Sequence, residues 1–294
     1  MNCLFFPAFS YWQLTTGNFF HYLSPMPLFW WAIAFLAIFL IGLTKSGFGS
    51  GVGLMVVPMM ALAMPHILPM RGERATLGLV LPLLVSGDLI AVYQYRRLFS
   101  RQIIRRLMRG TIFGLILGGL LLAWFHNKPP AVATLLIRLE IGMEAVVLVG
   151  LNWWRTLNGG PSIHRPSVWK DDAVGSLAAA SSTLAHAAGP IITLYLLPQK
   201  LGRDVFVGTS AIYFFMVNTA KLPVYWYGGL FADASPLFSS RFLPIVIIGA
   251  VSGWWIKTRI SDLLFSRLVY TITFVLGWYL LIDAAFKLLQ RNHA

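Results

Sequence analysis

Long apolar runs separated by short polar or Gly/Pro-rich segments dominate this sequence. Because lipid offers no partner for backbone amides and the alternation of barrel strands is absent, runs of this length predict membrane-spanning helices. The sequence therefore predicts an all-α polytopic membrane protein with about nine to ten membrane segments. The runs are Leu28 to Thr44, Gly51 to Pro69, Ala75 to Tyr95, Gly110 to Phe125, Ala131 to Trp154, Ala173 to Pro198, Val205 to Tyr227, Phe242 to Ile256 and Leu268 to Ile282.

The composition supports a lipid environment. Hydrophobic residues make up 57% of the 294 residues and charged residues only 11%, which is too little charge to cover a water-facing globule. The net charge of +13 raises the question of nucleic acid, but the cations are predicted to cluster in short loops, as expected of a protein oriented in a membrane. The largest cluster comprises Arg96, Arg97, Arg101, Arg105, Arg106 and Arg109. We therefore expect membrane lipid as a partner and no nucleic acid.

The distribution of positive charge predicts the orientation and the domains. The arginine-rich loop after Tyr95 belongs in the cytoplasm, the loop around Lys128 outside, and the basic loop at 155–172 inside again. Counting the remaining membrane segments from these loops predicts that both termini lie outside. Residues 1–27 form an uncharged, aromatic, interfacial extension, and 28–154 and 173–294 form two transmembrane repeats. Such a charge pattern is typical of a bacterial inner-membrane protein.

The two halves resemble each other. Placing Ala75 to Phe99 over Val207 to Phe231 matches six residues, and Gly114 and Gly118 then fall near Gly249 and Gly253. The corresponding loops carry opposite charge bias, so we predict repeats of inverted topology, an arrangement typical of transporters. Small residues spaced four apart also suit a homodimer or packing within one subunit, and the sequence leaves both open.

Each half contains a set of helix breakers inside an apolar stretch. The first set is Gly47 to Gly53 and the second is His186 to Pro190. A helix interrupted within the membrane exposes backbone N–H groups at a new N-terminus, and these donors favour an anion. The alternative is that the glycines only permit close packing or a turn. We assign Gly49, Ser50, Gly51 and Gly189 to substrate binding on this basis.

Four ionisable residues within or beside the apolar runs are candidates for function. Lys45 precedes the glycine run and Lys221 lies inside a membrane segment, so both are predicted to bind an anion unless they reach the headgroups. Asp88 is predicted either to carry a proton or to pair with a lysine. His186 is predicted to bind the anion or carry a proton, with a hydrogen-bonded packing role as the alternative.

Several polar side chains share these segments. Thr209 and Asn218 lie on the same segment as Lys221 and are predicted to bind the substrate; Ser210 and the run Ser181 to Thr183 supply further donors, although such hydroxyls often bond to their own helix. Another membrane segment carries three charged residues that we interpret as structural, with a role in coupling as the alternative: Arg138, Glu140 and Glu144. One cysteine, Cys3, and no Cys/His spacing typical of a metal site predict no disulfide, metal or cofactor.

Two sets of motifs stand at corresponding places in the halves. The first is Gly42-Leu43-Thr44-Lys45-Ser46-Gly47-Phe48-Gly49-Ser50-Gly51, then Val57-Pro58, then Leu81-Pro82-Leu83 with Asp88; the second is Ser182-Thr183-Leu184-Ala185-His186-Ala187-Ala188-Gly189-Pro190, then Phe206-Val207-Gly208-Thr209-Ser210, then Asn218 through Lys221-Leu222-Pro223. Both resemble TauE/SafE-type sulfite and organosulfonate exporters from about Leu28 onward. The resemblance implies a secondary carrier for a small anion such as sulfite or sulfoacetate, generally moved outward. The aromatic extension and the trio of Arg138, Glu140 and Glu144 depart from that pattern.

Two other classes of function are weighed against an anion exporter. An intramembrane hydrolase would use Ser50 and His186, but Ser50 does not lie in a nucleophile-elbow pattern and no third residue orients the histidine. An anion channel or a non-transporting membrane subunit would share the same hydropathy. The predicted protein is therefore not an enzyme, and alternating access with proton coupling through Asp88 or His186 is the leading mechanism.

Overall fold

A computed structural model describes residues 28–47, 53–67, 72–158, 167–256, 259 and 262–292. Within these ranges the chain forms twelve α-helices, one 3-10 turn and no strand, so the predicted all-α class is confirmed. The helices are α1 Leu28–Gly47, α2 Gly53–Ile67, α3 Gly72–Tyr95, α4 Arg101–His126, α5 Pro130–Leu157, α6 Val168–Ala185, α7 Ala188–Leu196, α8 Arg203–Tyr227, α9 Leu230–Asp233, α10 Pro236–Ser240, α11 Leu243–Ile256 and α12 Asp262–Asn292; the 3-10 turn is Leu197–Gln199.

Five of the described helices are long and apolar enough to cross a membrane: α1, α3, α4, α8 and α12. Two shorter apolar helices, α2 and α11, pack among them, and α5 has spanning length with three charged residues near its middle. Large apolar side chains point outward, including Ile112, Phe113 and Ile116 of α4 and Val275 and Ile282 of α12. A water-soluble domain rarely exposes faces of this kind, so the outer surface fits lipid.

The most extensive helix contacts join the first half of the chain to the second. Helix α4 packs along α6, α1 along α11, α5 along α12 and α3 along α8. These four pairs form a closed set: exchanging each helix of one half with its counterpart in the other gives the same four pairs. The largest helix interfaces of the molecule therefore lie between the halves.

Close glycine contacts repeat the same pattern at residue level. A Cβ at Gly42 of α1 would lie 1.9 Å from the Val246 carbonyl of α11, and a Cβ at Gly175 of α6 would lie 2.3 Å from the Leu107 carbonyl of α4. Two further pairs of contacts correspond in the same way. Gly110 and Gly114 of α4 lie against Asp172 and Ser176 of α6, and Gly249 and Gly253 of α11 lie against Phe39 and Leu43 of α1. Phe39 and Leu43 are separated from Asp172 and Ser176 by the same number of residues as Gly42 is from Gly175. These contacts match Gly110 with Gly249 and Gly114 with Gly253. The match predicted from the sequence, Gly114 with Gly249 and Gly118 with Gly253, is therefore displaced by one helical turn.

The α3 and α8 pair shows reciprocal contacts as well. A Cβ at Gly78 would lie 2.4 Å from the Leu230 carbonyl, and a Cβ at Gly208 would lie 1.9 Å from the Leu98 carbonyl. Leu98 and Leu230 are residues that the sequence comparison placed over each other. The spacing from Gly78 to Gly208 also takes Asp88 to Asn218. Helix α3 thus contacts the segment that follows α8, and α8 contacts the segment that follows α3.

Some predicted boundaries are wrong. Residues Arg101 to Arg109, predicted as loop, form the first turns of α4, where the Ser100 side chain caps the helix through Ile103 N at 3.4 Å. The predicted loop at 155–172 is shorter than its bounds, because α5 continues to Leu157 and α6 begins at Val168. The apolar stretch Ala173 to Pro198 contains two helices and a 3-10 turn, and the loop at 231–240 contains α9, which ends at Asp233, and α10. The N-terminal extension lies outside the described residues.

Candidate functional site

The chain between α6 and α7 turns sharply at His186. His186 adopts the left-handed conformation, with φ 54° and ψ 26°, and its N–H bonds to the Ser182 carbonyl at 3.1 Å. Glycine is the usual residue at such a helix end, and a histidine there costs backbone strain of roughly 1 kcal/mol. The interruption predicted in the second half is therefore present, and the imidazole at this turn is buried.

Lys221 of α8 faces this turn and is fully buried. Its Nζ donates to the Ser182 carbonyl at 2.8 Å and to Ser182 Oγ at 2.9 Å, and it lies 2.9 Å from His186 Nδ1. An ammonium group has three N–H donors, so neutral acceptors occupy all three of them. Among the described residues, no carboxylate lies within ion-pair distance of Nζ.

The neighbours of His186 determine which nitrogen carries its proton. Nδ1 accepts from the Lys221 ammonium, so the remaining hydrogen belongs on Nε2, which lies 3.3 Å from the Leu77 carbonyl of α3. Both nitrogens of a neutral imidazole are thereby occupied. Tyr225, one turn beyond Lys221, packs its ring 5.8 Å from the imidazole and donates to the Thr183 carbonyl at 2.7 Å. His186 is consequently held between α3, α6 and α8.

A second group of polar side chains surrounds Asp88 of α3, which is also fully buried. Lys45 Nζ lies 2.5 Å from Asp88 Oδ1, and Asn218 Nδ2 donates to Asp88 Oδ2 at 2.6 Å. The Lys45 ammonium also lies 4.8 Å from the centre of the Phe214 ring. The charge of Asp88 is therefore compensated by Lys45, as in the alternative weighed from the sequence.

The two groups adjoin each other because Asn218 and Lys221 lie one turn apart on α8. Together they contain two lysines and one aspartate, so the centre of the molecule carries one more positive than negative formal charge when the lysines are protonated. Burying such an excess is costly unless an anion or water compensates it. The arrangement is suited to receive one negative charge.

The remaining residues predicted to bind substrate fall into three classes. Gly189 is buried in the first turn of α7, next to His186. Thr209 lies three turns from Lys221, where its hydroxyl accepts from Ser100 N at 2.9 Å and donates to the Val205 carbonyl at 2.6 Å, so the structure does not bring it to the cluster. Gly49, Ser50 and Gly51 lie outside the described residues.

The charged residues of α5 form two separate groups. Arg138 pairs with Asp283 of α12, which also accepts from Lys287 at 2.9 Å. Glu144 accepts from Ser181 Oγ at 2.9 Å, and Glu140 lies one turn before it on α5. The ion pair with Asp283 supports the structural interpretation of Arg138.

The sequence interpretation did not single out three contacts of this centre. They are the Ser182 carbonyl, the Leu77 carbonyl and the Tyr225 side chain. Carbonyl contacts leave no trace in residue identity, because every residue has one. In the sequence, Tyr225 stands out only as one of the six matches between the halves, where it falls opposite Tyr93. Its spacing of four residues from Lys221 is only a weak sign that the two side chains share a site.

Comparison with known families gives one relevant finding. The family model described as Sulfite exporter TauE/SafE matches residues 34–280, which includes every residue of the Lys221 and Asp88 groups. No curated protein and no solved structure matches the chain.

Proposed function

From the premise that the chain belongs to the TauE/SafE sulfite exporter family, we propose that it is a secondary transporter that exports sulfite or an organosulfonate such as sulfoacetate. The family is one of membrane transporters, and the apolar helices make the chain an integral membrane protein. The proposal includes a location in the bacterial inner membrane, with the arginine-rich start of α4 on the cytoplasmic side.

The observation that carries the proposal is the environment of Lys221. A fully buried ammonium whose partners in the described part of the chain are all neutral acceptors keeps its net charge available to a ligand. In a medium of low dielectric constant that charge attracts an anion more strongly than in water. The substrate would therefore take its place beside Lys221, His186 and Ser182, with Asn218 one turn away.

The pairing of the helices supports alternating access. Each half packs against the other through corresponding contacts, which is what two inverted repeats exchanging conformations around a central site would require. Lys221 and Asp88 are both fully buried, so the conformation described is one in which the centre is occluded. Rocking of the halves would open it to one side of the membrane at a time. Proton coupling through Asp88 or His186 stays a prediction.

Substitution of Lys221 tests the proposal directly. Purified protein is reconstituted in liposomes loaded with sulfite, and efflux is followed for the unmodified chain and for Lys221→Met. We expect saturable efflux by the unmodified chain. A charge-assisted contact contributes about 1.5–3 kcal/mol, so the variant should bind sulfite about 10- to 150-fold more weakly.

The matched control is Lys287→Met, which removes a half-exposed lysine outside the centre. This control should transport normally, and both variants should show a cooperative thermal transition, so that loss of folding is recognised. Equal sulfite affinity in Lys221→Met and the unmodified chain would reject this site. Flux that never saturates would reject a carrier in favour of a channel.

A further inference from the structure

Glu140 and Glu144 lie one turn apart on α5, and the anion site has no use for them. Glu140 is only 8% exposed, and its Oε2 receives no hydrogen bond from any described donor. Glu144 is partly buried, and its Oε2 accepts from Ser181. Two ionised carboxylates this close repel each other in a medium of low dielectric constant, so the pair favours a bound proton.

No described cation pairs with either glutamate. Arg138, on the same helix, binds Asp283 instead. Many other charged or titratable groups on the helices packed against α5 have described partners of their own: Asp283 binds Lys287, Asp88 pairs with Lys45, Arg109 binds Asp172, Tyr195 donates to Asp171, Tyr225 donates to the Thr183 carbonyl, Lys221 binds Ser182 and His66 stacks on Trp30. Arg74 on α3 and Tyr270 on α12 are further such groups. Within the described residues, then, neither glutamate has a cation partner, and a small bound cation would supply the compensation.

We propose that the Glu140–Glu144 pair binds one proton and couples it to the anion at Lys221. This deepens the proposed transport function and rests on it. The link is short in sequence and in space: Ser181 donates to Glu144, and its neighbour Ser182 accepts from Lys221. Tyr225 joins the same two helices: its hydroxyl donates to the Thr183 carbonyl of α6, and its ring centre lies 5.9 Å from Lys221 Nζ.

A cavity of about 1030 Å³ between α5, α6 and α7 gives the pair a route for protons. Glu144 and Ser181 line one end, and Arg155 and Lys170, on the same two helices, line the other. The distance between the two ends corresponds to about three turns of helix, or roughly 16 Å. The lining between them is mostly apolar and offers a hydrated anion few polar partners, so a proton would cross it on water that enters from the polar ends.

The sign of the coupling follows from charge. The unprotonated pair places an extra negative charge near Lys221, which opposes an incoming anion. Binding a proton removes that charge and leaves the ammonium available. Proton and anion therefore bind with positive cooperativity, and by linkage each raises the affinity for the other by the same factor. An anion and a proton would cross together.

The test measures the affinity for ethanesulfonate, whose charge is constant near neutral pH, by titration calorimetry of the full-length protein in sodium-free buffer. We expect the unmodified chain to bind it about 5- to 150-fold more tightly in mild acid than in mild alkali. Glu140→Gln and Glu144→Gln should each bind it with little dependence on pH. Asp204→Asn, which alters an exposed carboxylate at the start of α8, should retain the dependence of the unmodified chain.

The outcomes separate this proposal from the transport function. An unchanged pH dependence in both glutamine variants would overturn the proton site and leave the anion site standing. A pH dependence that appears only when sodium is present would overturn it in favour of sodium. If no anion binds at all, the transport proposal fails, and infrared spectra then test the proton site by itself. A protonated-carboxyl band that is present in the unmodified chain and lost in the glutamine variants supports a proton bound at the pair. Absence of that band from the unmodified chain rejects the proton site.

Discussion

At the scale of single residues, the sequence named the polar side chains of the centre better than their partners. Lys45, Asp88, His186, Asn218 and Lys221 were all predicted to act, because polar and ionisable groups inside or beside apolar runs are costly and therefore conspicuous. Which of them meet depends on how α3, α6 and α8 pack, and side-chain type does not encode that.

Thr209 shows the limit of reading one segment. It shares α8 with Lys221, yet its hydroxyl fixes the turn between α3 and α4 through Ser100 N. Residue spacing alone places it three turns away, but only the neighbouring helix shows that its hydrogen-bonding capacity is used there.

The ion pair of Lys45 and Asp88 gives a prediction about stability. Asp88→Asn should lower the free energy of unfolding by roughly 3 kcal/mol, because it leaves a largely buried ammonium without its counter-charge. The double variant Lys45→Met with Asp88→Asn should recover most of that loss. Thermal unfolding in detergent measures both. A double variant less stable than the single one would show that the charges themselves, rather than their balance, hold α1 against α3.

At the scale of helices, the positions were largely predictable and the register was not. Each of the nine apolar runs overlaps at least one described helix, since hydrophobicity and length determine where a chain can cross a bilayer. Gly110, Gly114 and Gly118 follow each other at intervals of four, so a comparison of glycines alone fits equally well in two registers one turn apart. Only the carbonyl that each glycine touches distinguishes them.

Corresponding glycines should respond alike to substitution. Gly42→Ala and Gly175→Ala each place a methyl group inside contact distance of a carbonyl on the facing helix, so each should lower the stability by about 1–3 kcal/mol. Gly150→Ala is the control, because nothing lies within 4 Å of its Cβ, and it should gain up to about 1 kcal/mol from helix propensity. Melting temperatures in detergent compare the three. Tolerance of alanine at Gly42 alone would contradict an equivalent role for the two contacts.

At the scale of the whole molecule, composition and charge were sufficient to predict a polytopic helical membrane protein. The contact of the two halves through equivalent surfaces could not be predicted, because weak internal similarity shows that segments correspond but not which faces meet. The role of Glu140 and Glu144 stays a prediction: Glu144 accepts from Ser181 of a neighbouring helix, as expected of a partnered acid, while Arg138 pairs with Asp283.

Orientation in the membrane is open to direct measurement. In a Cys3→Ser background, Arg97→Cys and Asn127→Cys introduce thiols at exposed positions on opposite ends of α4. The positive-inside pattern predicts that an impermeant maleimide labels Asn127→Cys in intact cells and Arg97→Cys only in inverted vesicles. Labelling of both positions from the same side would contradict a membrane-spanning α4. The reverse labelling pattern would show that the protein has the opposite orientation in the membrane.

The Asp88 to Asn218 hydrogen bond has a consequence for energetics. The two residues occupy equivalent places in the halves, yet one is an acid and the other an amide. The spacing that carries Gly42 to Gly175 carries Lys45 to Ala178, so the second half has an alanine at the position equivalent to Lys45. If the two halves exchange conformations during transport, the inward-facing and outward-facing states are therefore not equivalent. Only one of these states retains the salt bridge, so a carrier without substrate would populate the two states unequally.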